Sequence, residues 1–257
     1  MIYDLIVVGN GLAAQTFLFE LFTQLSANVN KSQTFNVAQI YSEEITPSCS
    51  LRTTSTVSRN GIEEGISGLG DELSTSFKLF CAFKKEHNPS GVEEVHQFVG
   101  YTNDLHKKKM LRRFKELEII NCPLFDDPIE GVKLDSYLIN PKSYTQWFNE
   151  KIQTASMPYK LDRYQNFVRS ISFSADKIYD CTLLNSDVLK ASKLVLCTGA
   201  YSKIYADFIS LDFSNDLSKS QVVPGSFLER KVDLKRDSFY LTLDGHNLIY
   251  RSLDQRL

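Results

Sequence analysis

At 257 residues, with 42% hydrophobic and 23% charged residues and a formal net charge of -2, the chain is long enough to bury a sizeable core and carries no strong charge field. That balance excludes a disordered or fibrous protein and gives the molecule as a whole no electrostatic reason to seek nucleic acid or a membrane surface. No apolar run reaches the ~18 residues of a transmembrane helix, and the five cysteines and four histidines are scattered without Cys-x-x-Cys or metal-ligand spacing, so free thiols, no metal and a cytoplasmic setting are expected.

Residues 2–8, IYDLIVV, form an apolar run that enters a glycine turn directly, which reads as a buried strand and not as a signal peptide. Phe17, Leu18, Leu21 and Leu25 then recur at helical spacing, and the segment FNVAQIY is rich in apolar and β-favouring residues. Strand, helix and strand in this order predict a parallel sheet. Residues 46–61, rich in hydroxyls and containing Arg52 and Arg59, have no usable period and are expected to form a loop. A helix is predicted over 69–86, with Leu73, Phe77, Phe80 and Phe83 on one side, followed by a β-rich excursion from Val92. Within it, HKKKMLRRFKELE at 106–118 reads as a basic amphipathic helix. The next helix is well signalled: Asn140 can cap it, Pro141 suits its first turn, and Tyr144, Trp147, Phe148 and Ile152 fall on one stripe. Strand patterns return over 166–199, and FYLTLD and NLIYR are short strands in the last third.

Gly9-Asn10-Gly11-Leu12-Ala13-Ala14 is a G-x-G-x-x-A fingerprint placed between a buried strand and a helix. Gly9 permits the tight turn, Gly11 lets backbone approach a pyrophosphate, and the small Ala14 lets helix and strand pack closely. The N–H groups that open the helix, from Leu12 and Ala13, suit phosphate oxygens. A ribose-binding acid belongs at the end of the second strand, but that place falls on Tyr41 or Ser42, and Glu43 and Glu44 come slightly late. Either Glu43 still reaches the ribose, or that contact is lost and both glutamates solvate a loop.

The later run LVLCTGAYS, with Thr198 and Gly199 at its turn, is similar to the second FAD-contacting motif of flavoprotein oxidoreductases. Together with VVGNGLAAQ, the hydroxyl run TSTVSRNG and the segment GVKLDSYLINPKSYTQWF, in that order, the chain resembles the D-amino-acid-oxidase-like family of FAD-dependent oxidoreductases. The resemblance implies an α/β protein: a Rossmann-like FAD-binding domain with a parallel sheet, made of 1–88 and 141–205, plus an incomplete β-rich substrate domain made of 89–140 and 206–257. It implies FAD as cofactor, with Gly9, Gly11, Leu12, Ala13, Ala14, Glu43, Ser55, Thr56, Thr198 and Gly199 around it. The implied reaction is oxidation of a C–N bond of an amino acid or secondary amine by hydride transfer to the flavin, with no assigned catalytic acid or base. Arg251 is a candidate partner for a substrate carboxylate, with Tyr101 and Tyr250 as weaker candidates.

Members of that family continue past a segment like NLIYRSLDQRL, so a C-terminally shortened protein is implied, active or not, or one completed by a second chain. The alternatives are an NAD(P)-dependent dehydrogenase and a non-catalytic remnant or binding subunit of the same fold. For the latter, the basic run would meet an anionic partner such as RNA, although a solvated helix face explains that run as well.

Overall fold

The structure, a computed structural model, describes residues 1–28, 34–52, 55–58, 69–113, 117–124, 128–154, 159–202, 205, 230–231, 234–243, 246–252 and 255. In chain order its elements are β1 (Ile2–Tyr3), β2 (Leu5–Val8), α1 (Leu12–Asn28), β3 (Phe35–Tyr41), a 3-10 turn (Cys49–Arg52), β4 (Thr56–Ser58), α2 (Leu69–His87) and β5 (Val92–Gly100). These are followed by α3 (Asp104–Arg113), β6 (Ile119–Asn121), β7 (Glu130–Ile139), α4 (Pro141–Thr154), β8 (Tyr159–Gln165), β9 (Val168–Phe173) and β10 (Tyr179–Leu183). The last are β11 (Val188–Ala191), β12 (Leu194–Leu196), a 3-10 turn (Gly199–Tyr201), β13 (Phe239–Leu243) and β14 (His246–Tyr250). The chain divides into two units, Met1–Thr53 with Pro141–Gly225, and Thr54–Asn140 with Ser226–Leu257.

The first unit is built on a four-stranded sheet in the order β12-β2-β3-β8, parallel throughout. A parallel sheet is covered on both faces, which is why its central strands are mainly apolar: Ile6, Val7, Val37, Ala38 and Ile40 have no exposed surface. The predicted first strand is in fact two. Asp4 breaks it, donating its N–H to Asn36 O at 2.9 Å and accepting the Asn36 N–H on its carboxylate at 2.7 Å. β1 is thereby handed to a second sheet, where it pairs parallel with β11 beside the antiparallel β11-β10-β9 ribbon.

On α1 the buried face is Ala14, Gln15, Leu18, Phe19 and Phe22, turned from the expected stripe so that Phe17, Leu21 and Leu25 are only half-buried. Phe19 meets Trp147 and Phe148 of α4 with ring centroids 5.4 and 5.5 Å apart, and Phe22 stacks on Tyr159 at 3.6 Å. α4 begins at Pro141, as its N-terminal signal predicts, and buries Tyr144, Trp147, Phe148 and Ile152.

The second unit is a sheet in the order β14-β13-β5-β7-β4, with β6 also on β7. β5 and β7 run antiparallel over nine paired residues from Val92↔Ile139 to Gly100↔Gly131, and β13 is parallel to β5. β4 lies inside the predicted loop; three residues paired with Ser136–Leu138 are too short to leave a period in the sequence. α2 sets Phe77 and Phe80 against Tyr137 of β7, at 6.2 and 5.2 Å between centroids. That packing puts α2 in the second unit, so the first crossing comes at Thr53–Thr54, well before the boundary expected after residue 88. α3 ends at Arg113, short of the expected 118, while residues 114–116 and Arg59 lie outside the described residues. Among the described residues no helix is long and apolar enough to cross a membrane.

Candidate functional site

A cleft of about 260 Å³ opens in the first unit where the carboxyl ends of β2, β3 and β12 meet the start of α1. Its walls come from the glycine turn (Gly9, Asn10, Gly11, Ala13), from the segment that follows β3, and from the 196–201 return. The two glycine turns of the sequence, almost two hundred residues apart, therefore share one cavity. This is the carboxyl edge of a parallel sheet, the place where α/β sheets bind ligands.

Gly9 is where the turns are locked together. It has φ +126°, and a Cβ there would stand 2.3 Å from the backbone oxygen of Cys197. Gly9 N–H donates to Ile40 O and Cys197 N–H to Val8 O, both at 2.8 Å, so the backbones of β2, β3 and β12 converge on this point. Only a residue without a side chain fits. Beyond it, Thr198 is buried and its hydroxyl pairs with that of Ser202 at 2.8 Å, while Gly199 opens the 3-10 turn. Burial pushes the Cys197 thiol up from its usual range, and at the same wall burial pushes the Tyr205 hydroxyl up to about 12.

Gly11 performs a second task. Its missing side chain leaves room for the 46–50 segment, where Ser50 Oγ would stand 3.1 Å and Ser48 Oγ 3.4 Å from an added Cβ. The Leu12 N–H donates to Ser50 Oγ at 3.3 Å, so a hydroxyl meets one of the open N–H groups of the α1 terminus. Ser48 Oγ is buried with no hydrogen-bond partner. A helix N-terminus, serine hydroxyls and exposed backbone at one spot are donors suited to a cluster of anionic oxygens.

At the end of β3, Ser42 accepts the Ile45 N–H at 3.1 Å and turns the chain, which brings Glu43 to the cleft wall. Its carboxylate accepts a hydrogen bond from Asn10 Nδ2 at 3.1 Å. Beneath Asn10 lie Gln15 and Gln39, both fully buried. A carboxylate here is an acceptor for vicinal hydroxyls, and Glu43 supplies the only carboxyl group among the described cleft-lining residues.

Of the expected site residues, Gly9, Gly11, Ala13, Glu43, Thr198 and Gly199 line the cleft, Leu12 offers its N–H beside it, and Ala14 is buried in the core. Ser55 and Thr56 lie in the second unit: Ser55 O accepts the Ile139 N–H at 2.8 Å and Thr56 opens β4. Arg251 is also in the second unit, half-buried, with Nη1 donating to Ile139 O at 3.4 Å. Tyr101 and Tyr250 are buried in that unit. Asn10, Gln15, Gln39, Ser48 and Ser50 were not expected. The signal for two of them was present, since Gln39 interrupts an apolar strand and Gln15 an apolar helix face.

No family model matches the sequence, and no curated protein is detectably similar to it. Solved structures are similar in fold. Glycine oxidase from Geobacillus kaustophilus aligns with a TM-score of 0.61 at 15% identity, over 80% of this chain and 58% of that one. L-amino acid deaminase from Proteus myxofaciens, solved in complex with anthranilate, gives 0.69 at 13% identity, over 99% and 57%. L-alpha-glycerophosphate oxidase from Mycoplasma pneumoniae, solved with FAD bound, gives 0.68 at 12% identity, over 100% and 70%. The chain thus spans less than two thirds of the glycine oxidase and the deaminase. It shares the fold of these oxidases and of the deaminase.

Proposed function

We propose that the cleft binds FAD and that the chain belongs to a flavin-dependent oxidoreductase acting on the C–N bond of an amino acid or secondary amine. The observation that supports this best is the convergence of both glycine turns, a hydroxyl-bearing segment and one carboxylate on a single cleft. The residues fit a dinucleotide. Gly11 and the Ala13 N–H would face the diphosphate, with Ser48 and Ser50 adding hydroxyl donors and the Leu12 N–H holding Ser50 in place. Glu43 would accept from the adenosine ribose, and Thr198 and Gly199 would form the opposite wall.

When bound, the flavin supplies the hydride acceptor that no amino-acid side chain can provide. The chain's own residues bind and orient: they neutralise the diphosphate charge with N–H and O–H dipoles and fix the adenosine end. Arg251 remains the candidate partner for a substrate carboxylate, because a guanidinium carries five donors and can hold Ile139 O and a carboxylate together.

The test is to add FAD to the purified chain, remove the excess and record the visible spectrum. A retained flavin band is expected, and its anaerobic bleaching by a panel of amino acids and secondary amines would identify the substrate class. A retained band that nothing in the panel bleaches would favour a non-catalytic protein of the same fold. No band, from protein with a cooperative unfolding transition, would overturn FAD binding.

A further inference from the structure

Asn10 sits between the two glycines of the turn, and its carboxamide is held from two sides. Gln15 Nε2 donates to Asn10 Oδ1 at 2.6 Å and Gln39 Nε2 donates to the same oxygen at 3.3 Å, while Gln39 Nε2 also reaches Gly9 O at 3.0 Å. With two N–H groups on Oδ1, the amide cannot turn over without setting donor against donor. Nδ2 is therefore directed at Glu43 Oε1, 3.1 Å away.

The arrangement has a cost. Gln15 and Gln39 are fully buried, and the Oε1 atom of each has no partner. Unpaired buried amide oxygens are destabilising, so stability alone does not account for two glutamines aimed at one asparagine. Glu43 is exposed and, untethered, would spread over several rotamers.

We propose that Asn10 is a positioning residue: oriented by Gln15 and Gln39, it holds the Glu43 carboxylate in the cleft to accept the hydroxyls of an unphosphorylated adenosine ribose. This rests on FAD as the occupant. The asparagine acts through Glu43 and touches no reacting atom.

The experiment titrates FAD and its 2′-deoxyadenosine analogue into the 257-residue chain, followed by quenching of flavin fluorescence. The chain should prefer FAD about tenfold, the size of one hydrogen bond to a charged group. In Asn10→Ala that preference should shrink to about twofold or less, with the loss falling on FAD and not on the analogue. Asn10→Asp keeps an acceptor for both glutamines but turns an oxygen on Glu43, and it should lose the preference in the same way. Thermal unfolding confirms that each variant is folded. Equal weakening of both ligands in both variants would mean a structural role only, and an undiminished preference would mean that Glu43 needs no support; either overturns the proposal. Equal affinity of the unmodified chain for the two ligands overturns it while FAD binding stands. Failure of the unmodified chain to bind either ligand removes FAD binding itself.

Discussion

Across the second unit's sheet, Gln97, Ser136 and Thr242 are buried and bonded to one another, whereas beside the first unit's glycine turn Gln15, Gln39 and Ser48 each keep a buried oxygen without a partner. Gln97 accepts from Ser58 and Ser136 on one amide atom and donates to Thr242 at 2.7 Å from the other, and Thr242 donates on to Asn247 at 2.7 Å. The row crosses β4, β7, β5, β13 and β14. A satisfied buried network ties strands together, while donors and acceptors left over at a cleft are capacity for something else to bind. The same residue types thus tie strands together around Gln97 and, under the proposed function, stand ready for a ligand beside the glycine turn.

That contrast can be broken at its strongest point with Gly9→Ala. A Cβ 2.3 Å from the Cys197 oxygen, on a backbone at φ +126°, should cost about 3–5 kcal/mol in denaturant unfolding. An unaltered midpoint would refute the close approach that joins the two glycine turns. Next comes Gln97→Leu, which removes the acceptor of the Ser58 and Ser136 hydroxyls and the donor to Thr242, and should lose about 2–3 kcal/mol. A neutral result there would make the polar row incidental.

Gly11→Val separates recognition from cohesion. The nearest atoms to the new Cβ belong to the side chains of Ser50 and Ser48, so folding should survive while FAD affinity falls at least about tenfold, or 1.4 kcal/mol, measured by flavin retention. Ser50→Ala removes the acceptor for the Leu12 N–H and should cost about 0.5–1 kcal/mol in thermal unfolding.

The smallest effect is one of pH. Lys160, hydrogen-bonded to Asp162 at 2.9 Å, holds that carboxyl below the usual carboxylate range, and the Tyr3 hydroxyl adds to this. The pair therefore contributes stability above the unfolded value of about 3.9 and loses it as pH falls through the lower folded value. Asp162→Asn should lower stability slightly at neutral pH and flatten the acid limb of the profile below about pH 4, so that variant and parent converge in acid.

Local chemistry made the first strand-turn-helix, β3 and α4 legible. Each has a signal confined to its own residues: a glycine pair after an apolar run, a β-rich septet, a proline in a first helical turn. β8 was not legible. Its sequence YKLDRYQ is half polar, as suits an edge strand, and leaves no clear strand signal; its pairing with β3 identifies it. The place of α2 was hidden for a related reason, since its aromatic face would suit many surfaces and Tyr137 of β7 is the one it meets.

The sequence by itself determined that a glycine turn would stand between a buried strand and a helix, and that a second such turn would come late in the chain, because conformational limits at glycine and periodic burial are local properties. Only the tertiary structure decided that these turns share a cleft, that Ser50 approaches the α1 terminus, and that two buried glutamines converge on Asn10. Those facts are distances between residues far apart in the chain, and the parallel pairing of β12 with β2 and of β2 with β3 sets them.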